Sequence, residues 1–121
     1  MEPRPTALGL VVADMRASVA FYRRLGVAFP SDTDDHEEAQ LSSWPRPMLD
    51  TESSLVTYVP GRRRPTGGSA RASLAFELGT SAEVDTLHAE LVATGVWSTV
   101  KPWDAVWGHR WASVVNPDGA C

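Results

Sequence analysis

With 121 residues, 43% of them hydrophobic and 21% charged, the chain has the length of one domain and enough apolar material for a core without staples. A net charge of −4 excludes the basic face of a nucleic-acid binder, and the one arginine cluster, Arg62 to Arg64, sits among Pro60, Gly61, Pro65, Gly67 and Gly68 as a solvated loop. The apolar stretch "LGLVV" is far short of the roughly 20 residues of a membrane span, no secretory leader pattern precedes it, and the lone Cys121 excludes an internal disulfide, so the expectation is a cytoplasmic protein with neither membrane nor nucleic-acid partner.

In chain order, "ALGLVVAD" reads as a strand that runs into the helix "MRASVAFYRRLGV", with Asp14 as its cap and Gly26 at its left-handed exit. Strand parity sends Leu8, Leu10 and Val12 toward a helix and leaves Ala7, Gly9, Val11 and Ala13 on the other face. "SDTDDHEE" fails as a calcium loop beginning at Asp32, because Glu37 stands where glycine belongs and Ser43 where the bidentate Glu belongs. It reads instead as an acidic turn into "HEEAQL", a strand that buries Ala39 and Leu41 and turns His36, Glu38 and Gln40 outward. "SLVTYV" is read as one more strand.

After the loop of residues 60–70 the pattern repeats. "SLAFELGT" reads as a strand with Leu74, Phe76 and Leu78 on one face and Ser73, Ala75 and Glu77 on the other. "SAEVDTLHAELVATGV" is a helix with a Thr80–Glu83 capping box, an apolar stripe of Val84, Leu87, Leu91 and Val92, and Gly95 at its exit; His88 falls on its polar side. "WSTV" and "HRWASVV" follow as strands around a turn from Asp104 to Gly108. Parity in the last strand places Arg110, Ala112 and Val114 toward the helix and His109, Trp111 and Ser113 away from it. Leu8 to Leu74 spans 66 residues and Gly26 to Gly95 spans 69, so the chain reads as two copies of one strand–helix–strands module, an α+β domain with module one at about 5–60 and module two at about 71–121.

Small side chains facing inward leave a space, and Ala7, Gly9, Ser73 and Ala75 make it the candidate pocket. Trp103, Trp107 and Trp111 recur every four residues, broken by Pro102 and Gly108, and are expected around its mouth. A Trp side chain covers about 150–250 Å², which either stabilises a core or grips a flat ligand; the spacing alone does not separate the two.

"LGLVVADMRASVAFYRRLGV", "LAFELGTSAEVDTLHAELVATGV" and "PWDAVWGHRWASVVNPDG", in that order, resemble the vicinal oxygen chelate superfamily, which includes glyoxalase I, extradiol dioxygenases and the bleomycin-resistance proteins. The resemblance implies two βαβββ modules whose sheets form a cleft, commonly completed in a homodimer. It also implies a further strand of about six to eight residues beside "HRWASVV" that these 121 residues do not include: either they are a shortened version of the chain, or module two lacks its last strand and leaves an open sheet edge there. The histidines of metal-dependent members fall, by position, on Ala7 and Ser73, neither of which can hold a divalent ion in that role. The nearest likeness is therefore to the metal-free branch. The expected function is metal-independent sequestration of a flat, partly aromatic small molecule, with no cofactor and no catalytic residue. Trp103, Trp107 and Trp111 would supply stacking, and His36, Glu38, His109 and Ser113 would supply hydrogen bonds. The net acidity favours a neutral or cationic ligand over a phosphorylated one. The alternatives are a metal-dependent lyase or dioxygenase with its site moved onto His36 and His109, and a structural or regulatory domain with no ligand.

Overall fold

The computed structural model describes residues 7–40, 46–58, 61, 74–106 and 108–118, and it divides into two compact units, Met1–Gly67 and Gly68–Cys121. The first unit holds β1 (Ala7–Val11), α1 (Met15–Arg24), β2 (His36–Glu38), β3 (Arg46–Asp50) and α2 (Glu52–Tyr58); the second holds α3 (Ser81–Ala93), β4 (Ser98–Asp104) and β5 (Arg110–Val114). The architecture is α+β. The first sheet is mixed, ordered β1-β3-β2, with β3 parallel to β1 and antiparallel to β2; the second pairs β4 with β5 antiparallel.

Helix α1 starts where the sequence reading places it. Asp14 keeps an extended backbone and its carboxylate accepts the Ala17 amide at 3.1 Å, satisfying a donor that the first turn leaves free. Gly26 ends the helix at φ +84°, a conformation that a Cβ would strain. Met15, Val19, Phe21 and Tyr22 are buried along it, with the Phe21 and Tyr22 rings edge to face at 5.1 Å, and Val12, Val27, Phe29, Ala39 and Leu49 complete the apolar core of this unit. The parity of β1 holds: Leu8, Leu10 and Val12 are more buried than Gly9, Val11 and Ala13.

Two sequence expectations are corrected, and one strand is added that the sequence pattern did not show. "SLVTYV" is not a strand but lies mostly in α2: Thr51 Oγ1 accepts the Ser54 amide at 3.2 Å and the Leu55 amide donates to Thr51 O, a capped helical turn that overrides the β-branched Val56 and Thr57. "RPMLD", which shows no clean alternation and contains Pro47, is nevertheless the central strand β3. Residues 74–78 form no ladder with any described strand; Leu74 and Leu78 are half-buried while Phe76 is exposed, so the large-side-chain face expected there is incomplete.

In the second unit Thr80 caps α3 by accepting the Glu83 amide, and the Thr80 hydroxyl also donates to the Glu83 carboxylate, both at 3.2 Å. Leu91 is its buried residue; Val84, Leu87 and His88 are half-buried and Val92 is exposed, so the contact stripe runs through His88 rather than Val92. His88 is accordingly not a simple surface residue: its Nε2 lies 2.7 Å from Ser98 Oγ at the start of β4. Strand β4 runs through Pro102 because its register against β5 is irregular between Val100 and Trp103, which relieves the ladder of the donor that proline lacks. The turn to β5 is closed by the Ala105 amide on His109 O and the Gly108 amide on Ala105 O, with Gly108 at φ +91°.

Candidate functional site

Register partners share a sheet face, so the pairings fix what each sheet presents. On the first sheet, Ala7 lies beside Arg46; Gly9, Met48 and Glu38 form a second row; Val11, Asp50 and His36 form a third. Four of the residues expected at the pocket, Ala7, Gly9, His36 and Glu38, therefore share one face of a single sheet. Among the described residues a Cβ added at Gly9 would meet nothing within 4 Å, so that row is open on their side. Beside it an open concavity of about 890 Å³ is lined by Pro30, Ser31, His36, Glu38, Ala39, Gln40 and Arg46.

His36 is held from behind. Its Nδ1–H donates to Asp50 Oδ1 at 2.7 Å, and the same oxygen accepts from Ser54 Oγ at 3.2 Å at the start of α2. The backbone carbonyl of Asp50 accepts the Val12 amide, tying this carboxylate's position to the end of β1. Nε2 is turned outward, 3.3 Å from Glu38 Oε1, while Glu38 Oε2 lies 3.6 Å from Arg46 Nε. The hydrogen bond to Asp50 raises the His36 pKa above its ordinary value; burial opposes it, and the charges of Asp50 and Glu38 add to the rise. Asp50 is the part of this site that the sequence did not reveal, because it ends a strand that the pattern did not show.

Between these outward residues Glu37 points to the buried side at 1% exposure. It accepts from the Thr33 amide at 2.6 Å, the Thr33 hydroxyl at 2.7 Å and the Ser31 hydroxyl at 3.0 Å, and Thr33 Oγ1 also contacts His36 O. Burial pushes its pKa up, yet these hydrogen bonds outweigh it and leave the carboxyl below its ordinary value. The acidic turn thus closes on a side chain of its own segment, which also orients the neighbouring His36 and Glu38 outward.

On the second sheet Arg110 reaches α3 by an Nε–H donated to Asp85 at 2.9 Å and lies 3.3 Å from its register partner Asp104. That pair marks the helix side. Trp103 and Trp111, partners one position along, therefore face away from α3, each 41% exposed. Ser113 shares their strand parity and is half-buried, His109 is exposed just before β5, and Ala75 is exposed in the segment ahead of α3. Trp107 and Ser73 lie outside the described residues.

Of the two ligand positions that the resemblance implies, Ala7 is among the described residues and Ser73 is not. Ala7 offers no donor, and its register partner is Arg46, whose guanidinium sets a positive charge beside the first ligand position. Among the described residues no three His, Cys, Asp or Glu side chains are grouped so as to hold an ion. Also among them, no helix is long and apolar enough to cross a membrane.

The described residues form a mixed α+β fold whose first sheet sets His36 and Glu38 on one face, beside an open concavity. The sequence matches the model of the Glyoxalase/Bleomycin resistance protein/Dioxygenase superfamily over residues 4–120, and the chain belongs to that superfamily. Among solved structures it resembles a glyoxalase/bleomycin resistance protein/dioxygenase from Nocardioides, with 27% identity and a TM-score of 0.73 over 99% of this chain and 80% of that one. A family enzyme from Burkholderia phytofirmans PsJN superposes at a TM-score of 0.82 with 16% identity, covering 97% of this chain and 93% of the other. A lactoylglutathione lyase from Agrobacterium tumefaciens gives 0.67 with 18% identity, over 95% and 87%. At those identities the last two show the shared fold. No curated protein matches the sequence.

Proposed function

We propose that this member of the superfamily binds and sequesters a flat, partly aromatic small molecule without a resident metal ion, in the manner of the drug-sequestering resistance proteins. The observation that carries the reading is the Trp103–Trp111 pair: two large, flat, half-uncovered side chains set directly opposite each other on the sheet face that turns away from α3. Indoles left accessible in this way offer stacking area to a planar ligand. Within the second unit Trp107 would add to it, His109 and Ser113 would orient the ligand by hydrogen bonds, and Ser73 and Ala75 would leave room; within the first unit His36 and Glu38 would offer hydrogen bonds, and Ala7 and Gly9 would leave room. The charge that Arg46 places beside Ala7 supports a metal-free site. We further propose that the protein works as a cytoplasmic homodimer, a state that light scattering on the purified protein would test.

The ligand reading is tested by tryptophan fluorescence with a panel of planar antibiotics and nitroaromatics. Quenching that saturates in the wild type and is lost in Trp111→Ala supports it; a panel without quenching refutes it. Elemental analysis and a thermal-shift series with divalent ions go alongside. A stoichiometric metal, or stabilisation by several degrees with one ion, would favour a lyase or dioxygenase built on a relocated site instead.

A further inference from the structure

We infer that His36, aimed by Asp50, is the donor that selects a ring carrying an acidic oxygen, a phenolate or an aryl carboxylate. This rests on the reading that the ligand is a flat ring and adds the group it must carry. The argument begins with what each nitrogen of His36 already does. Nδ1 is committed to Asp50, which at 4% exposure is shielded from water and also accepts from Ser54, so the ring has one orientation, and with a carboxylate against each nitrogen its protonated form carries a second donor at Nε2. Nε2–H is left facing the concavity.

Its partner there, Glu38 Oε1 at 3.3 Å, is distant for a charge-assisted bond, which settles at about 2.7–2.9 Å. Glu38 is also served by Arg46 through its other oxygen. An entering anionic oxygen can therefore take Nε2–H while Glu38 keeps Arg46, so the exchange leaves no carboxylate stranded. Gln40 on the same concavity offers a further neutral donor, and Pro30 and Ala39 offer apolar wall. A neutral ring lacks the charge to compete with Glu38 for that proton. A phenol would release its proton to solvent on docking, and a carboxylate would dock already ionised. The hydrogen bond of Asp50 keeps the imidazole protonated over more of the neutral range, which is the state this donor needs.

The test uses three ring probes that differ in one substituent: 4-nitrophenol, 4-nitrobenzoate and nitrobenzene. Affinity is measured by calorimetry, and the His36 ring is followed by nitrogen-resolved NMR in the wild type, His36→Gln and Asp50→Asn. At least one acidic probe is expected to bind tenfold or more tightly than nitrobenzene and to shift the His36 Nε2 resonance. That preference, taken in each protein relative to its own nitrobenzene affinity, should vanish in His36→Gln and shrink in Asp50→Asn. Equal affinities for the three probes, or a preference that survives His36→Gln, overturns the inference even if all three quench the tryptophans. An unmoved His36 resonance overturns it too. Loss of tryptophan quenching with a His36 shift retained would refute the stacking reading and leave the acidic-oxygen site standing.

Discussion

The Nδ1 of His36 lies 2.7 Å from Oδ1 of Asp50, an almost wholly buried carboxylate at the end of β3. This contact holds the imidazole's pKa above its ordinary value, with Glu38 adding to the effect. Folded His36 thus binds its proton more tightly than unfolded His36 does. The resulting stability is fully present below the ordinary imidazole pKa and is lost as pH rises through the raised value. We expect NMR titration of His36 to show a midpoint above that of an exposed histidine, and Asp50→Asn to bring it down. The melting temperature of the wild type should fall between mildly acid and mildly alkaline pH by more than that of Asp50→Asn. An identical pH slope in the two proteins would contradict the coupling.

Glu37 gives the opposite sign. Its carboxyl is held below the ordinary value by Thr33 and Ser31 despite burial, so its contribution is present above the ordinary carboxylate pKa and disappears as pH falls through the lowered one. Glu37→Ala removes the acceptor for the Thr33 amide and two hydroxyls. It should destabilise the fold by about 2 kcal/mol at neutral pH, a Tm lower by roughly 5–10 °C. Glu37→Gln keeps the shape and loses the charge, so its deficit against wild type should shrink as the solution is acidified. Thermal denaturation of the three proteins from neutral to acid pH measures this.

Trp103 and Trp111 separate binding from stability. A cross-strand pair half open to water contributes about 0.5–1 kcal/mol to its sheet, so Trp111→Ala should remain folded with a modest loss. Stacking on a planar ligand draws on the same exposed faces, so the variant should lose ligand affinity by tenfold or more. Comparing urea denaturation with fluorescence binding decides between the roles: a large stability loss with unaltered affinity would mark the pair as structural.

Much of this was legible before the structure because it rests on local chemistry. Asp14 and Thr80 cap helices by contacts spanning three residues, and Gly26 and Gly95 sit at left-handed exits, so sequence spacing suffices. Strand parity put His36 and Glu38 outward and Trp111 away from α3 for the same reason. What stayed hidden depends on distant partners. Strand β3 contains Pro47 and is recognisable only through its ladders to β1 and β2, and Asp50 was hidden with it. The Thr51 cap was readable, but the β-branched residues after it pointed to a strand. The Arg46–Ala7 register could not be read from either segment alone.

Ser18 offers a test of how tightly the first unit is built. It is wholly buried in α1, and its hydroxyl has no hydrogen-bond partner among the described residues. Its amide does donate to Asp14 O in the first turn. A buried hydroxyl without a partner forfeits its hydrogen bonds to water, and serine is also a weaker helix former than alanine. Both effects favour replacement. The only opposing loss is the small volume of one oxygen in a close-packed interior. Ser18→Ala should therefore stabilise the protein by about 1 kcal/mol, raising its Tm by a few degrees. Ser18→Val, which must fit two methyl groups into the same filled space beside α1, should lower it. Were alanine to destabilise instead, the hydroxyl would have a partner that these contacts do not include, and its place in the fold would be polar rather than merely tolerated.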